Sequence, residues 1–166
     1  MAPFSELGWS ELSDEDLVGI APAGAGRARI TCLGSCADLV ADLEHFGILP
    51  HLRSRGFDDP RLAVEYDHPL GQTLRVFAGE ATDEPLVEIR LDRSERLVPG
   101  MDLLVLEWIL LQDPSRRFYP ARPLLPGQQH PGLGVFRPTF KWLLALCESL
   151  GVDGLYLRPS HYHVGA

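Results

Sequence analysis

The nine residues Leu103–Leu111 constrain the fold of this chain more than any other feature of its sequence. Eight of the nine side chains are apolar, and Glu107 is the one charged residue among them. A strand that is covered on both faces is continuously apolar, whereas a half-exposed strand alternates apolar and polar residues. We therefore predict a central buried strand here, although the pattern alone also fits a segment of a buried helix.

Other segments supply neighbours for this strand. Apolar and polar residues alternate in four further segments, which we predict to be strands: 27–33, 62–66, 73–78 and 86–91. Between the first two of these, Ser35 and Asp38 form a capping-box pattern for one helix that Gly47 ends, and residues 48–55 suit a second short helix.

The C-terminal part completes the predicted fold. Residues 138–150 are the strongest predicted helix, with a proline in the first turn and Gly151 as its stop, and Gly154–Leu157 is a short strand. The predicted order is β-α-α-β-β-β-β-α-β. We expect an α/β (α+β) fold in which helices flank a mixed, mostly antiparallel sheet.

Composition divides the chain and excludes some functions. Residues 1–26 hold five acidic and no basic residues, which predicts an acidic, partly disordered arm before a single domain at 27–166. The net charge of −8 argues against nucleic acid as a partner. No segment suits a membrane span and no export signal is visible, so we expect a cytoplasmic protein with reduced cysteines.

Residues 129–134 (QHPGLG) offer a candidate anion site immediately before the strongest predicted helix. Glycines let a ligand approach the backbone closely, and the start of a helix offers free N–H groups at the positive end of its dipole. Arg137 adds a fixed positive charge. The pattern predicts phosphate or pyrophosphate binding, and the alternative is an ordinary loop.

The Q-x-x-G-x-G pattern in this loop resembles the acyl-CoA-binding signature of the GNAT acetyltransferase superfamily, and the predicted element order over residues 27–157 is similar to the order in that superfamily. The resemblance implies that Gln129, Gly132, Leu133, Gly134 and Arg137 hold the pyrophosphate of acetyl-CoA or another acyl-CoA. It further implies acyl transfer to the amine of a small molecule or protein. A homodimer is one arrangement open to such a domain.

Glu107 is the first candidate catalytic residue. A carboxylate in the middle of an apolar strand is costly to bury unless it is paired or takes up a proton, and proton uptake is what a general base requires. The resemblance implies that it deprotonates the acceptor amine. The alternative is a structural ion pair with Arg75 or Arg90 of a neighbouring strand.

His161, Tyr162 and His163 are the other candidate catalytic residues. In an extended segment the two histidines point the same way, so they could line an acceptor site. With His130 they could instead hold a metal ion, which would indicate a metal-dependent hydrolase.

Two weaker features leave further alternatives open. Cys36 follows a predicted strand at the start of a helix, where a thiol is favoured as a nucleophile, although a small buried side chain explains it equally well. The proline-rich connection 112–128 contains the arginine–aromatic segment 116–122, which suits a base or a partner. A non-catalytic binding domain on the same scaffold is therefore the alternative to an enzyme.

Overall fold

A five-stranded sheet organises the domain. The computed structural model describes residues 31–68, 71–79, 84–94, 97–118 and 129–157. The elements in chain order are α1 (Cys36–His45), α2 (Ile48–Ser54), β1 (Arg61–Glu65), β2 (Gln72–Phe77), β3 (Pro85–Ser94), β4 (Leu103–Leu111), α3 (Phe136–Leu150) and β5 (Gly154–Leu157). The predicted α+β class with a mixed sheet and helices is confirmed.

The strands lie in the order β1-β2-β3-β4-β5. The first three pairs are antiparallel, and β5 alone is parallel to its neighbour β4, which it pairs along Leu103–Leu106. Helix α3 makes the crossover between β4 and β5, as a parallel pair requires. This β4-α3-β5 unit is the part of the fold in which the sequence predicts a ligand.

The predicted first strand is not found among the described residues. Residues 31–33 of that prediction are not in a strand, and residues 27–30 lie outside the described part. The N–H groups of Cys32 and Leu33 both donate to Oε1 of Gln72, at 2.7 and 2.9 Å. A side chain of β2 therefore satisfies backbone groups that a strand would pair with another strand.

The helix ends follow from local chemistry. At the start of α1, Ser35 and Asp38 form the predicted reciprocal capping box. Helix α3 begins at Phe136, two residues before the predicted start, so Pro138 lies in its first turn and displaces no intrahelical hydrogen bond. Gly151 ends α3 with φ +64°, as expected for a glycine after a helix.

All three helices pack on one core with alternate residues of the sheet. The core residues of β4 are Leu104 and Leu106, and Ile109 and Leu111 pack against the same core. Residues 104 and 106 are two positions apart, as are 109 and 111, but 106 and 109 are three apart. Side chains on one face of a regular strand are two residues apart, so the strand is irregular at Glu107. Within the described residues, the helices are too short or too polar to cross a membrane.

Candidate functional site

The loop before α3 is joined directly to the end of β4. Gln112 and Gly132 form an antiparallel bridge, in which Asp113 N–H donates to the carbonyl of Pro131 at 2.8 Å and Leu133 N–H to that of Leu111 at 3.2 Å. The Leu133 side chain is fully buried. These contacts bring the predicted anion-binding loop to the C-terminal end of β4, although the proline-rich connection separates the two in the sequence.

Gly134 has a backbone φ that suits a nest of N–H groups. Its φ is +86°, in the left-handed region, and the next residue, Val135, lies at φ −96° and ψ 13°. Successive residues of opposite hand turn their N–H groups towards one concave side, where an anion can bind. A side chain at Gly134 would be strained by this φ, and its Cβ would lie 3.5 Å from Nε2 of His51.

The start of α3 adds to the positive character of this loop. Among the described residues no side chain caps the helix at Val135, and the N–H groups of Phe136 and Arg137 have no intrahelical acceptor because they belong to the first turn. The Arg137 side chain is exposed. Together these groups form a concentration of hydrogen-bond donors and positive charge that suits a phosphate.

Two side chains of the α2 segment contact the same loop, and the sequence analysis missed them. His51 Nε2 lies 3.1 Å from the carbonyl oxygen of Leu133, and Arg55 Nη2 donates to that oxygen at 3.2 Å. Because a carbonyl only accepts, His51 carries a proton on Nε2. No local pattern marks either residue, since 82 and 78 positions separate them from Leu133.

Asp113 is a third residue that the sequence analysis did not single out. Its side chain is 1% exposed, and its Oδ1 accepts from the N–H and hydroxyl of Ser115 at 3.2 and 2.5 Å. Its Oδ2 lies 3.4 Å from Nε of Arg116 and 3.9 Å from Nη2 of Arg55, without a hydrogen bond. A charged residue two positions after a buried strand was the signal that could have identified it.

Glu107 is the extra residue of a β-bulge. In β3, Arg90 lies opposite Trp108 and Leu91 opposite Leu106, so the register shifts at Glu107. Bulges redirect side chains and are frequent next to active sites. The Glu107 side chain is half-buried.

The two arginines considered as partners of Glu107 form ion pairs with other acids. Arg75 pairs with Glu65 at 3.0 Å and with Glu88 at 3.2 Å, and Arg90 pairs with Glu88 at 3.3 Å. These groups form a ladder across β1, β2 and β3.

The predicted histidine cluster is only partly within the described residues. His130 Nε2 lies 2.8 Å from Oε1 of Glu84, and Gln112 Nε2 donates to the same oxygen at 3.1 Å. His161, Tyr162 and His163 lie outside the described part of the chain. Across residues 31–157, with the gaps given above, no group of three or more side chains is arranged to bind a metal ion.

The remaining predicted loop residues are accessible. Gln129, Gly132 and Gly134 are exposed, and a Cβ added at Gly132 would meet none of the described atoms within 4 Å. Open space at Gly132 leaves the backbone accessible to a ligand. The N–H of Leu133, in contrast, is already used by β4.

None of the three cysteines, which all lie within the described residues, forms a disulfide. Cys36 is exposed, so the small buried side chain considered for it is not found, whereas Cys32 and Cys147 are buried. Burial, with a contribution from Asp92, raises the pKa of the Cys32 thiol to about 11. Burial also raises the pKa of Cys147. Both buried thiols are therefore kept in the unreactive protonated form.

Comparison with known proteins adds no relative. No protein-family profile matches this chain, and neither a curated protein nor a solved structure matches it.

Proposed function

We propose that this protein transfers an acyl group from acyl-CoA to an amine, as the GNAT-like signature implies. The observation that carries the proposal is the left-handed Gly134 beside the start of α3, which no described side chain caps, at the C-terminal end of β4. In sheets with parallel strands, ligands bind outside the carboxyl ends of the strands. The first-turn N–H groups of residues 136 and 137, which have no intrahelical acceptor, and the Arg137 guanidinium are suitable donors to a pyrophosphate.

The distance along β4 supports a long cosubstrate with phosphate at one end. Glu107 and Leu111 are four residues apart, which corresponds to about 13 Å along a strand. The phosphate end would lie near the loop that Leu111 holds, and the reacting end near Glu107. Acyl-CoA has this arrangement, because an extended arm separates its phosphates from its thioester.

In the proposed reaction Glu107 acts as the general base. The acceptor amine attacks the thioester carbonyl carbon, the C–S bond breaks and the acyl group remains on nitrogen. Glu107 takes the proton that the amine loses, and this proton then passes to the departing CoA thiolate, which leaves as free thiol and returns Glu107 to its carboxylate form. The bulge at Glu107 supports this role, because bulges redirect side chains and are frequent next to active sites.

Calorimetric titration of the full chain with CoA, and an assay of thiol release from acetyl-CoA with a panel of amines, test the proposal. Glu107→Gln should bind CoA as the wild type does and lose about a hundredfold or more in turnover. Glu148→Gln changes an exposed residue of α3 and is the matched control, which should keep both the CoA affinity and the turnover of the wild type. Failure of the wild type to bind CoA contradicts the proposal, and unchanged turnover in Glu107→Gln contradicts the role of the base.

An exposed apolar stripe on α3 favours a second candidate function, that of a binding domain. Phe136 and Leu144 are 56% and 54% exposed, and Phe140 contacts Phe136 with ring centroids 4.6 Å apart. Residues four apart share one helix face, and a second copy of this chain is the simplest partner for it. Sedimentation should show self-association that the double change Phe136→Ser and Leu144→Ser removes. A monomeric wild type contradicts this candidate.

A further inference from the structure

We propose that His51 and Arg55 are positioning residues, which orient the peptide between Leu133 and Gly134 so that the Gly134 N–H is presented to an anion. The inference rests on the proposed function for the identity of that anion, a phosphate of CoA. The contacts that carry it belong to the chain itself and can be tested without a ligand.

The first step of the argument is the geometry of a single peptide plane. The carbonyl oxygen of Leu133 accepts from His51 Nε2 and Arg55 Nη2, at 3.1 and 3.2 Å, so it points towards α2. The N–H of Gly134 lies in the same plane and points in the opposite direction, because the peptide is trans. The two donors therefore direct this N–H away from α2.

The second step is that the preceding peptide is fixed as well. The N–H of Leu133 donates to the carbonyl of Leu111 at 3.2 Å, and its side chain is fully buried. With residue 133 anchored to β4 and the core, the peptide that follows can still rotate about the adjacent bonds. The two α2 donors are what oppose that rotation.

The third step concerns the geometry of Arg55. A guanidinium beside a carboxylate usually forms two parallel hydrogen bonds. Here Nη2 of Arg55 stays 3.9 Å from Asp113 Oδ2 and donates to Leu133 instead, while the buried Nε has no hydrogen bond. Arg55 therefore donates to the Leu133 carbonyl and does not form the usual paired hydrogen bonds with Asp113. The Asp113 carboxylate attracts the guanidinium through its charge, without a hydrogen bond between them.

The test compares CoA affinity, kinetics and amide hydrogen exchange in variants of the full chain. His51→Ala removes one donor, and His51→Gln restores an N–H donor on a side chain of similar reach. We expect His51→Ala to weaken CoA binding about tenfold and to raise KM for acyl-CoA with kcat unchanged. His51→Gln should recover most of this loss. Arg53→Met is the matched control, because Arg53 is an exposed residue of α2 whose partner among the described residues is Glu44 and not Leu133.

Removal of Arg55 alone takes one positive charge away from the buried Asp113 carboxylate, which could prevent folding. The double variant Arg55→Met with Asp113→Asn removes both charges and should weaken CoA binding by a similar factor. In both donor-deleting variants the Leu133 amide should exchange several-fold faster without ligand, because its loop opens more often.

The outcomes separate this inference from the proposed function. If the wild type binds no CoA, the proposed function fails, while faster exchange at Leu133 in the variants still supports the orienting contacts. If the wild type binds CoA and both variants bind it equally well with unchanged exchange, the inference is overturned. The inference is also overturned if His51→Ala loses CoA affinity and His51→Gln does not recover it, because the N–H donor at position 51 would then not explain the loss.

Discussion

Replacement of Asp113 by asparagine tests the buried charge at the end of β4. The carboxylate is 1% exposed and lies 3.4 Å from Arg116 and 3.9 Å from Arg55. Removal of one partner from a fully buried ion pair costs about 3–5 kcal/mol. The side chains of Arg55 and Arg116 are 21% and 58% exposed, so water would solvate part of their charge.

We therefore expect Asp113→Asn to lower the free energy of unfolding by about 2 kcal/mol. The hydrogen bonds from Ser115 should persist, because the asparagine Oδ1 still accepts. What is lost is the charge that faces the arginines, and the new amide group would bring N–H donors towards their positive charge.

Urea unfolding at pH 7 measures this change. For a domain of this size the midpoint should fall by about 1 M at an unchanged slope. Asp58→Asn is the matched control, because Asp58 is exposed, and it should change stability by less than about 0.5 kcal/mol. If Asp113→Asn is as stable as this control, the buried carboxylate contributes nothing and the reasoning from charge is refuted.

Three further predictions concern the folded domain. Ser35→Ala should cost about 1 kcal/mol in urea unfolding, because it removes the capping box of α1, and an unchanged midpoint would contradict this. Trp142→Ala should cost about 3–5 kcal/mol because Trp142 is fully buried, whereas Leu144→Ala on the exposed face of the same helix should cost well under 1 kcal/mol. The raised pKa of Cys32 stabilises the fold below pH 9, and this contribution should disappear between pH 9 and about 11, because the unfolded thiol ionises first. The urea midpoint of Cys32→Ala should therefore fall less than that of the wild type over this range, and an equal fall would contradict the assignment.

The elements that sequence patterns predicted well are those whose signal is local. The strands Leu103–Leu111 and Gly154–Leu157 have the predicted bounds. The signal for each strand lies in its own residues and does not depend on which strand it pairs with. The capping box at Ser35 is equally local, because its two residues are three apart. The start of α3 was placed two residues late because Pro138 fits any first-turn position.

The features that sequence patterns did not reveal depend on contacts between distant residues. The bulge at Glu107 arises from the pairing of β4 with β3, and the strand itself carries no turn residue that marks it. The contacts of His51 and Arg55 with Leu133 join α2 to a loop near the other end of the chain. The fold brings these groups together, so their roles emerge only from the arrangement in space.

A backbone NMR titration of the full chain with CoA tests the central claim most directly, because it locates the ligand as well as detecting it. We predict that the largest amide shifts are those of Gly134, Val135, Phe136 and Arg137. Plotted against CoA concentration, all four shifts should saturate with the same dissociation constant. Pantetheine, which has the arm of CoA without its nucleotide and phosphates, should shift them little. The claim is contradicted if CoA leaves these resonances unchanged, or if the largest shifts lie outside the loop and the first turn of α3.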